Sequence, residues 1–249
     1  MNDLITIITP LYNSEHYIED CINSVINQTY QNWEMLIVDD SSTDRSRSIL
    51  QKKSLSDNRI KHILLDTNVG AAQARNLAID KSSGSYIAFL DSDDTWMPEK
   101  LDFQLKYMKD NNYDFTFTSY NVISENGMSV ISKVIVPQKI TYNEYLKNTI
   151  IGCLTVMINK SKYDLIRMPL IRSSHDMALW LDLLRHGKDA YGINICLSNY
   201  RLVKTSNTNN KLRAIYDVWQ VYRNYEGLSF FYSFYNWFFY IFNALKKRL

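Results

Sequence analysis

The sequence has little of what would announce a function at once. Its three cysteines, Cys21, Cys153 and Cys196, are odd in number and far apart. They make neither a disulfide framework nor a metal cluster and read as reduced thiols. There is no P-loop and no GxGxxG run, and the lone Gly70 replaces neither. A net charge of +2 is close to neutral and calls for no nucleic-acid partner. The first residues carry no basic segment and no small-residue cleavage site, so no secretory leader is expected. Repeats and low-complexity tracts are lacking too.

What is present fits one α/β domain with a terminal appendage. The 249 residues suffice for a sizeable core. Charged residues make up 22% of the chain, which is not a disordered composition. The first half alternates strand and helix. Apolar runs at 5–9, 33–38, 60–65 and 86–90 read as buried strands, the first stopped by Pro10. Helical spacing predicts helices over 14–27, 44–53 and 70–81, the last rich in alanine. Such β–α–β units imply a largely parallel sheet with helices on its faces.

Farther on, a helix is expected from Pro98 to about Asn111, and a strand over 115–124. A hairpin or loop is expected over 121–138, a strand over 153–158, and a helix over 175–186 closed by Gly187. Residues 211–225 read as a helix, and a last one follows from about Leu228.

In parallel sheets, ligands bind outside the carboxyl ends of the strands. Three strands end in polar residues there: Thr9 with Tyr12, Asp39 with Asp40, and Asp91 with Asp93. The turn Asp91-Ser92-Asp93-Asp94 gathers three carboxylates that repel one another. It is either solvated, with Asp94 capping a helix, or paired with cations or a metal. Carboxylate, water and phosphate oxygens suit Mg²⁺ or Mn²⁺. The run from Asp39 to Asp44 can accept a hydrogen bond from a base or ribose, cap a helix, or do both. Arg75 lies in a helix of small residues and must pair with the aspartates or reach a phosphate.

Taken together, these segments resemble the family 2 glycosyltransferases of GT-A fold. The matching residues are Ile8-Thr9-Pro10-Leu11-Tyr12-Asn13, then Ser24 to Tyr30, then Trp33 to Asp44 with its Val38-Asp39-Asp40-Ser41-Ser42 centre. Asn68-Val69-Gly70, Ala74-Arg75-Asn76 and Phe89-Leu90-Asp91-Ser92-Asp93-Asp94 follow in register.

The resemblance implies a site for a nucleotide-sugar donor, with a UDP-sugar expected. Thr9, Pro10 and Tyr12 would line the base pocket, and Asp39 would accept from the base. Arg75 would support the nucleotide end. Asp91 would lie near the ribose, Ser92 would belong to the nucleotide-sugar site, and Asp93 would hold the divalent metal, Mn²⁺ or Mg²⁺. Ser174-His175-Asp176 with Trp180 resembles the segment that supplies the base of inverting transfer, so Asp176 would be the general base. An acid favoured by the helix dipole is the plain alternative there. Tyr200-Arg201 and Lys204 resemble the closing loop after the base. Relatives often carry a histidine there, and none stands between Tyr200 and Thr208. Arg201 or Lys204 could instead neutralise the leaving diphosphate, or both could be solvated.

By the same resemblance, residues 1–225 would form the catalytic domain, with nucleotide-sugar and acceptor halves at about 1–120 and 121–225. The enzyme would act on a lipid-linked or cell-surface glycan at the inner face of the cell membrane. Residues 226–249 are strongly aromatic. Ser229, Tyr232, Asn236, Tyr240, Asn243 and Lys247 recur at spacings of three and four as one polar stripe. An amphipathic helix with a basic end suits a membrane interface, and docking on the domain or in a homodimer is the alternative. Two competing readings are a degenerate membrane-bound scaffold and a sugar-nucleotide pyrophosphorylase. The latter needs a glycine-rich basic loop after the first strand, and 10–15 offers none.

Overall fold

The structure is a computed structural model that describes residues 3–171, 173–185, 187–203 and 211–246. In chain order its elements are β1 (Ile5–Leu11), α1 (Ile18–Ile26), β2 (Trp33–Asp39), α2 (Ser46–Ser56), β3 (Ile60–Leu64) and α3 (Ala71–Lys81). Then come β4 (Tyr86–Phe89), β5 (Thr95–Trp96), α4 (Lys100–Asn111), β6 (Phe115–Ile123), β7 (Val130–Val134), β8 (Lys139–Ile140) and α5 (Tyr142–Lys147). The chain continues with β9 (Met157–Asn159), α6 (His175–Arg185), β10 (Ala190–Arg201), α7 (Lys211–Gln220) and α8 (Phe230–Lys246).

The strands form one sheet in the order β3-β2-β1-β4-β9-β6-β10-β5, with β7 added on β6 and β8 on β10. β3, β2, β1 and β4 run parallel. β9 is antiparallel to both β4 and β6, and β10 runs parallel to β6. The α/β class and the mostly parallel central sheet are therefore as the sequence pattern implies.

Burial on both faces explains why the central strands read as nearly continuous apolar runs. Successive β1 residues feed two cores. Ile5 and Ile7 join Trp33, Ile37 and Leu101 on one side, and Ile8 joins Leu36, Phe89 and Trp180 on the other. Ala72, Ala74 and Ala78 of α3 are buried, so that helix can lie close to the sheet.

Several expectations are corrected. β1 runs through Pro10 to Leu11, because proline is tolerated near a strand end. Only the second half of 153–158 reaches strand geometry; Cys153–Thr155 is a 3₁₀ turn. Residues 211–225 are helical, but the last five form a π-turn. The 12-residue β10 has no counterpart in the sequence reading. Tyr200 and Arg201 thus end a strand and do not lie on a loop. Lys204, Ser206, Thr208, Lys247 and Arg248 fall outside the described residues.

Candidate active site

The loop after β1 is sewn to the loop after β2. Asn13, at φ 47°, accepts the Thr43 N–H at 2.8 Å. Its own N–H donates to Ser42 Oγ at 3.0 Å, and the Ser14 N–H donates to Ser46 Oγ at 2.8 Å. These bonds hold Tyr12 at the carboxyl end of β1 with 50% of its surface exposed. Pro10 is partly buried, and Thr9 is buried with no partner for Oγ1 among the described residues.

The acidic run after β2 divides its work. Asp40 accepts the N–H groups of Val69 and Gly70 at 2.7 and 2.9 Å, fixing the entry to α3. Asp44 accepts the Ser46 N–H at 2.9 Å, capping the start of α2. Asp39 is fully buried, and its Oδ2 accepts from Arg47 Nε at 2.7 Å. Its Oδ1 has no partner among the described residues. A buried carboxylate oxygen left unpaired is costly, so this atom is an acceptor waiting for a donor.

The turn Asp91-Ser92-Asp93-Asp94 connects β4 to β5, and each residue is held differently. Asp91 pairs with Arg75. Ser92 is buried and its hydroxyl meets Ser14 Oγ at 2.9 Å, so it ties the turn to the β1 loop. Asp94 is buried and accepts the Arg201 N–H at 2.8 Å. It precedes a strand, so the helix-cap alternative does not apply.

Arg201 is itself buried. Its Nε donates to the Asp93 carbonyl at 2.8 Å, one Nη to the Glu125 carbonyl at 2.9 Å, and the other to Asp20 Oδ2 at 3.2 Å. A Cβ on Gly127 would stand 2.9 Å from that guanidinium, and the φ of 74° there also favours glycine at the hairpin tip. Arg201 is thus a clamp on the acidic turn, and the solvated alternative does not hold for it.

Asp93 is partly exposed, and its carboxylate has no side-chain partner among the described residues. Burial and the neighbouring Asp91 push its carboxyl up to about 6. Burial also pushes Asp94 up, helped by Asp93 and Asp91. Excess negative charge of this kind is relieved by a cation. Among the described residues no three His, Cys, Asp or Glu side chains converge into a protein-only metal site. The donor set fits a divalent ion held by one or two carboxylates plus phosphate and water oxygens, as Mg²⁺ and Mn²⁺ prefer.

Arg75 joins this turn to α6. One Nη pairs with Asp91 and the other lies 2.7 Å from His175 Nε2. Burial, and then Arg75, lower the His175 pKa, which keeps the imidazole neutral and able to accept. Asp176 follows in the first turn of α6, where the helix dipole favours a carboxylate. It lies within electrostatic reach of Arg75, Tyr145 and Cys153.

Thr9, Pro10, Tyr12, Asp39, Asp91 and Asp93 therefore gather at the carboxyl ends of adjacent strands, with Arg75 leading from them to Asp176. No sequence signal marks Arg47 as the partner of Asp39 or Arg201 as a clamp. Nor does any signal mark an open cleft of about 410 Å³ lined by Tyr17, Ser124, Glu125 and Asn126. Tyr17 donates to Glu125 Oε1 at 3.1 Å, under the Arg201 guanidinium 5.2 Å from its ring. The hairpin expected over 121–138 carries this cleft at its tip, but its partners have no sequence signal.

Known proteins resemble this chain in sequence or in fold. The chain is 47% identical over 246 residues to TuaG of Bacillus subtilis (strain 168), a glycosyltransferase named for teichuronic acid biosynthesis, covering 99% of this chain and 98% of that one. It is 42% identical over 219 residues to the Escherichia coli UDP-Glc:alpha-D-GlcNAc-diphosphoundecaprenol beta-1,3-glucosyltransferase WfgD, covering 88% and 85%. Its fold is like that of S. aureus TarS 1–349 solved with UDP-GlcNAc, at 22% identity and a TM-score of 0.73. That match covers 88% of this chain and 64% of TarS 1–349, so the solved chain is the longer. Residues 6–164 match Glycosyl transferase family 2, and the chain belongs to that family.

Proposed function

We propose that this protein is an inverting glycosyltransferase that moves a sugar from a UDP-sugar to a hydroxyl of a lipid-linked or cell-surface glycan. The observation that carries this reading is the Arg75 bridge. It joins the acidic turn at one end of the sheet to the helix start that bears Asp176. A donor site and a proton acceptor on one such bridge are what direct displacement at an anomeric carbon requires.

Each residue has a role in this reading. Tyr12 offers a face for stacking on the base. Thr9 Oγ1 and Asp39 Oδ1 supply buried polar atoms for it, with Asp39 accepting the N3–H of uracil. Asp93, aided by Asp91, would hold the divalent metal against the diphosphate. When bound, that ion stabilises the charge on departing UDP as a Lewis acid. Arg75 keeps Asp91 and His175 fixed, and neutral His175 adds no charge of its own. Asp176 takes the proton of the acceptor hydroxyl as its oxygen bonds to the anomeric carbon and the bond to UDP breaks. Arg201 holds the backbone of the acidic turn in place.

The relatives support the substrate classes. WfgD is named for UDP-glucose as donor and a diphosphoundecaprenol-linked acceptor, and TarS was solved with UDP-GlcNAc. Calorimetric titration of UDP with and without Mn²⁺ tests the donor half. Binding to the wild type should depend on the metal, and Asp39→Asn should weaken it about tenfold or more through one lost charged hydrogen bond. Metal-independent binding, unchanged in Asp39→Asn, would contradict the assignment.

A further inference from the structure

The last helix is packed inside out. Ser233 and Asn236 are fully buried, while Phe230, Phe231, Phe234, Phe238 and Phe242 are each more than half exposed. It docks on the domain through Trp237 and Tyr240, which pack against the core, and through polar groups. Tyr232 donates to Asn143 Oδ1 at 2.9 Å, Asn243 to the Lys147 carbonyl at 3.0 Å, and Trp237 to the Ile215 carbonyl at 2.9 Å. At 100° per residue Phe230, Phe231, Phe234, Tyr235, Phe238 and Phe242 span an arc of about 140° opposite the buried polar residues, with Tyr232 at its flank. No charged side chain interrupts that arc between Phe230 and Phe242.

We infer that this face seats the protein in the interfacial layer of an anionic phospholipid bilayer, with α8 lying in the plane of the surface. Three observations favour lipid over a second copy of the chain. First, the face is built from Phe and Tyr, which suit the boundary between headgroup and acyl layers. Second, Lys147 places its Nζ 5.2 Å from the Tyr235 ring and 5.8 Å from the Phe239 ring, a cation beside the aromatic face. Third, the sequence continues past the aromatics as Lys246-Lys247-Arg248, and such a basic cluster attracts anionic headgroups. Among the described residues no helix is long and apolar enough to cross a membrane.

The same face leads toward Asp176. Phe230 packs edge-on against Trp219 of α7, and Asp217 of α7 accepts from Ser173, just before α6. Tyr216, next to Asp217, is also largely exposed. Seating α8 in a bilayer therefore brings α7 and the approach to Asp176 to the lipid surface, where a membrane-embedded acceptor would be presented. This last step rests on the glycosyl-transfer reading; the seating does not.

Vesicle flotation of the full chain tests it. The wild type should float with mixed phosphatidylglycerol and phosphatidylcholine vesicles, and binding should weaken as salt rises. The triple variant Phe231→Ser, Phe234→Ser, Phe238→Ser should lose at least about tenfold in vesicle affinity while its thermal melt stays within a few degrees. These side chains are exposed, so the variant keeps its fold. A wild type that does not float, or a triple variant that floats equally well, would overturn the inference. So would a wild-type dimer by light scattering that turns monomeric in the variant without any vesicle binding, because the face would then be a self-interface. Vesicle binding without UDP binding would leave the seating intact and remove the glycosyl-transfer reading instead.

Discussion

The guanidinium of Arg75 lies between the Asp91 carboxylate and Nε2 of His175, 2.7 Å from the latter. One buried cation therefore fixes the first residue of the acidic turn to the first residue of α6. Arg75→Met would leave Asp91 uncompensated in a partly dry site, at a cost of about 2 kcal/mol. Denaturant unfolding checks this. Combined with Asp91→Asn, the loss should be clearly less than the sum of the two single losses, because the second change removes the charge that the first strands.

Arg201 is placed as a clamp, and that has its own signature. Arg201→Met frees the Asp93 carbonyl and the Glu125 carbonyl together. Affinity for UDP in the presence of Mn²⁺ should fall between about tenfold and 100-fold, as misplacement of a positioned group does. Affinity for uridine, which lacks the diphosphate, should not change. Equal losses for both ligands would mean that the residue shapes the base pocket instead.

Much of this site was legible in the sequence, and the reasons differ residue by residue. β1, β2 and β4 were readable because strands buried on both faces are unbroken apolar runs. The polar residues just after them therefore located the site. β10 was not readable. Its pairing with β6 shifts register between Ile193 and Cys196 and again between Cys196 and Ser198, which breaks the two-residue alternation. Missing that strand turned Arg201 into a loop residue. The polar stripe of α8 was visible as a period, but a period does not say which face turns inward. Only the bonds of Tyr232, Trp237 and Asn243 decide that.

Lys100 was overlooked because it reads as an ordinary surface lysine at a helix start. It is fully buried, donates to Gln104 Oε1 at 2.5 Å, and lies 4.6 Å from the Trp96 ring. Burial pulls its pKa down from 10.5 to about 7. Between those values the unfolded chain binds a proton that the folded chain does not. Stability should therefore rise with pH across that window, and the lysine's full penalty applies below it. The slope is at most about 1.4 kcal/mol per pH unit. Urea unfolding at several pH values from 7 to 8.5 should show this rise. Subtracting the curve for Lys100→Met isolates the lysine from the buried thiols of Cys21 and Cys153, which titrate in the unfolded chain near the top of the range.

Gly192 has no room for a side chain. An added Cβ would collide with the Pro137 carbonyl oxygen, beside the bond from the Gly192 N–H to the Gln138 carbonyl at 2.9 Å. Gly192→Ala should cost about 3 kcal/mol by forcing β10 away from that segment. A thermal melt checks it, and an unchanged midpoint would contradict the packing described.

The most direct test of the central claim separates donor binding from transfer. UDP release from a UDP-sugar is measured with a polyprenyl-diphosphate-linked sugar acceptor, beside Mn²⁺-dependent UDP binding, in wild type, Asp93→Asn and Asp176→Asn. Asp93→Asn should lose the metal-dependent part of binding. Asp176→Asn should bind UDP normally and transfer at least about 100-fold more slowly, as loss of a general base does. Normal transfer by Asp176→Asn, or unchanged metal-dependent binding by Asp93→Asn, would contradict the roles assigned to the two carboxylates.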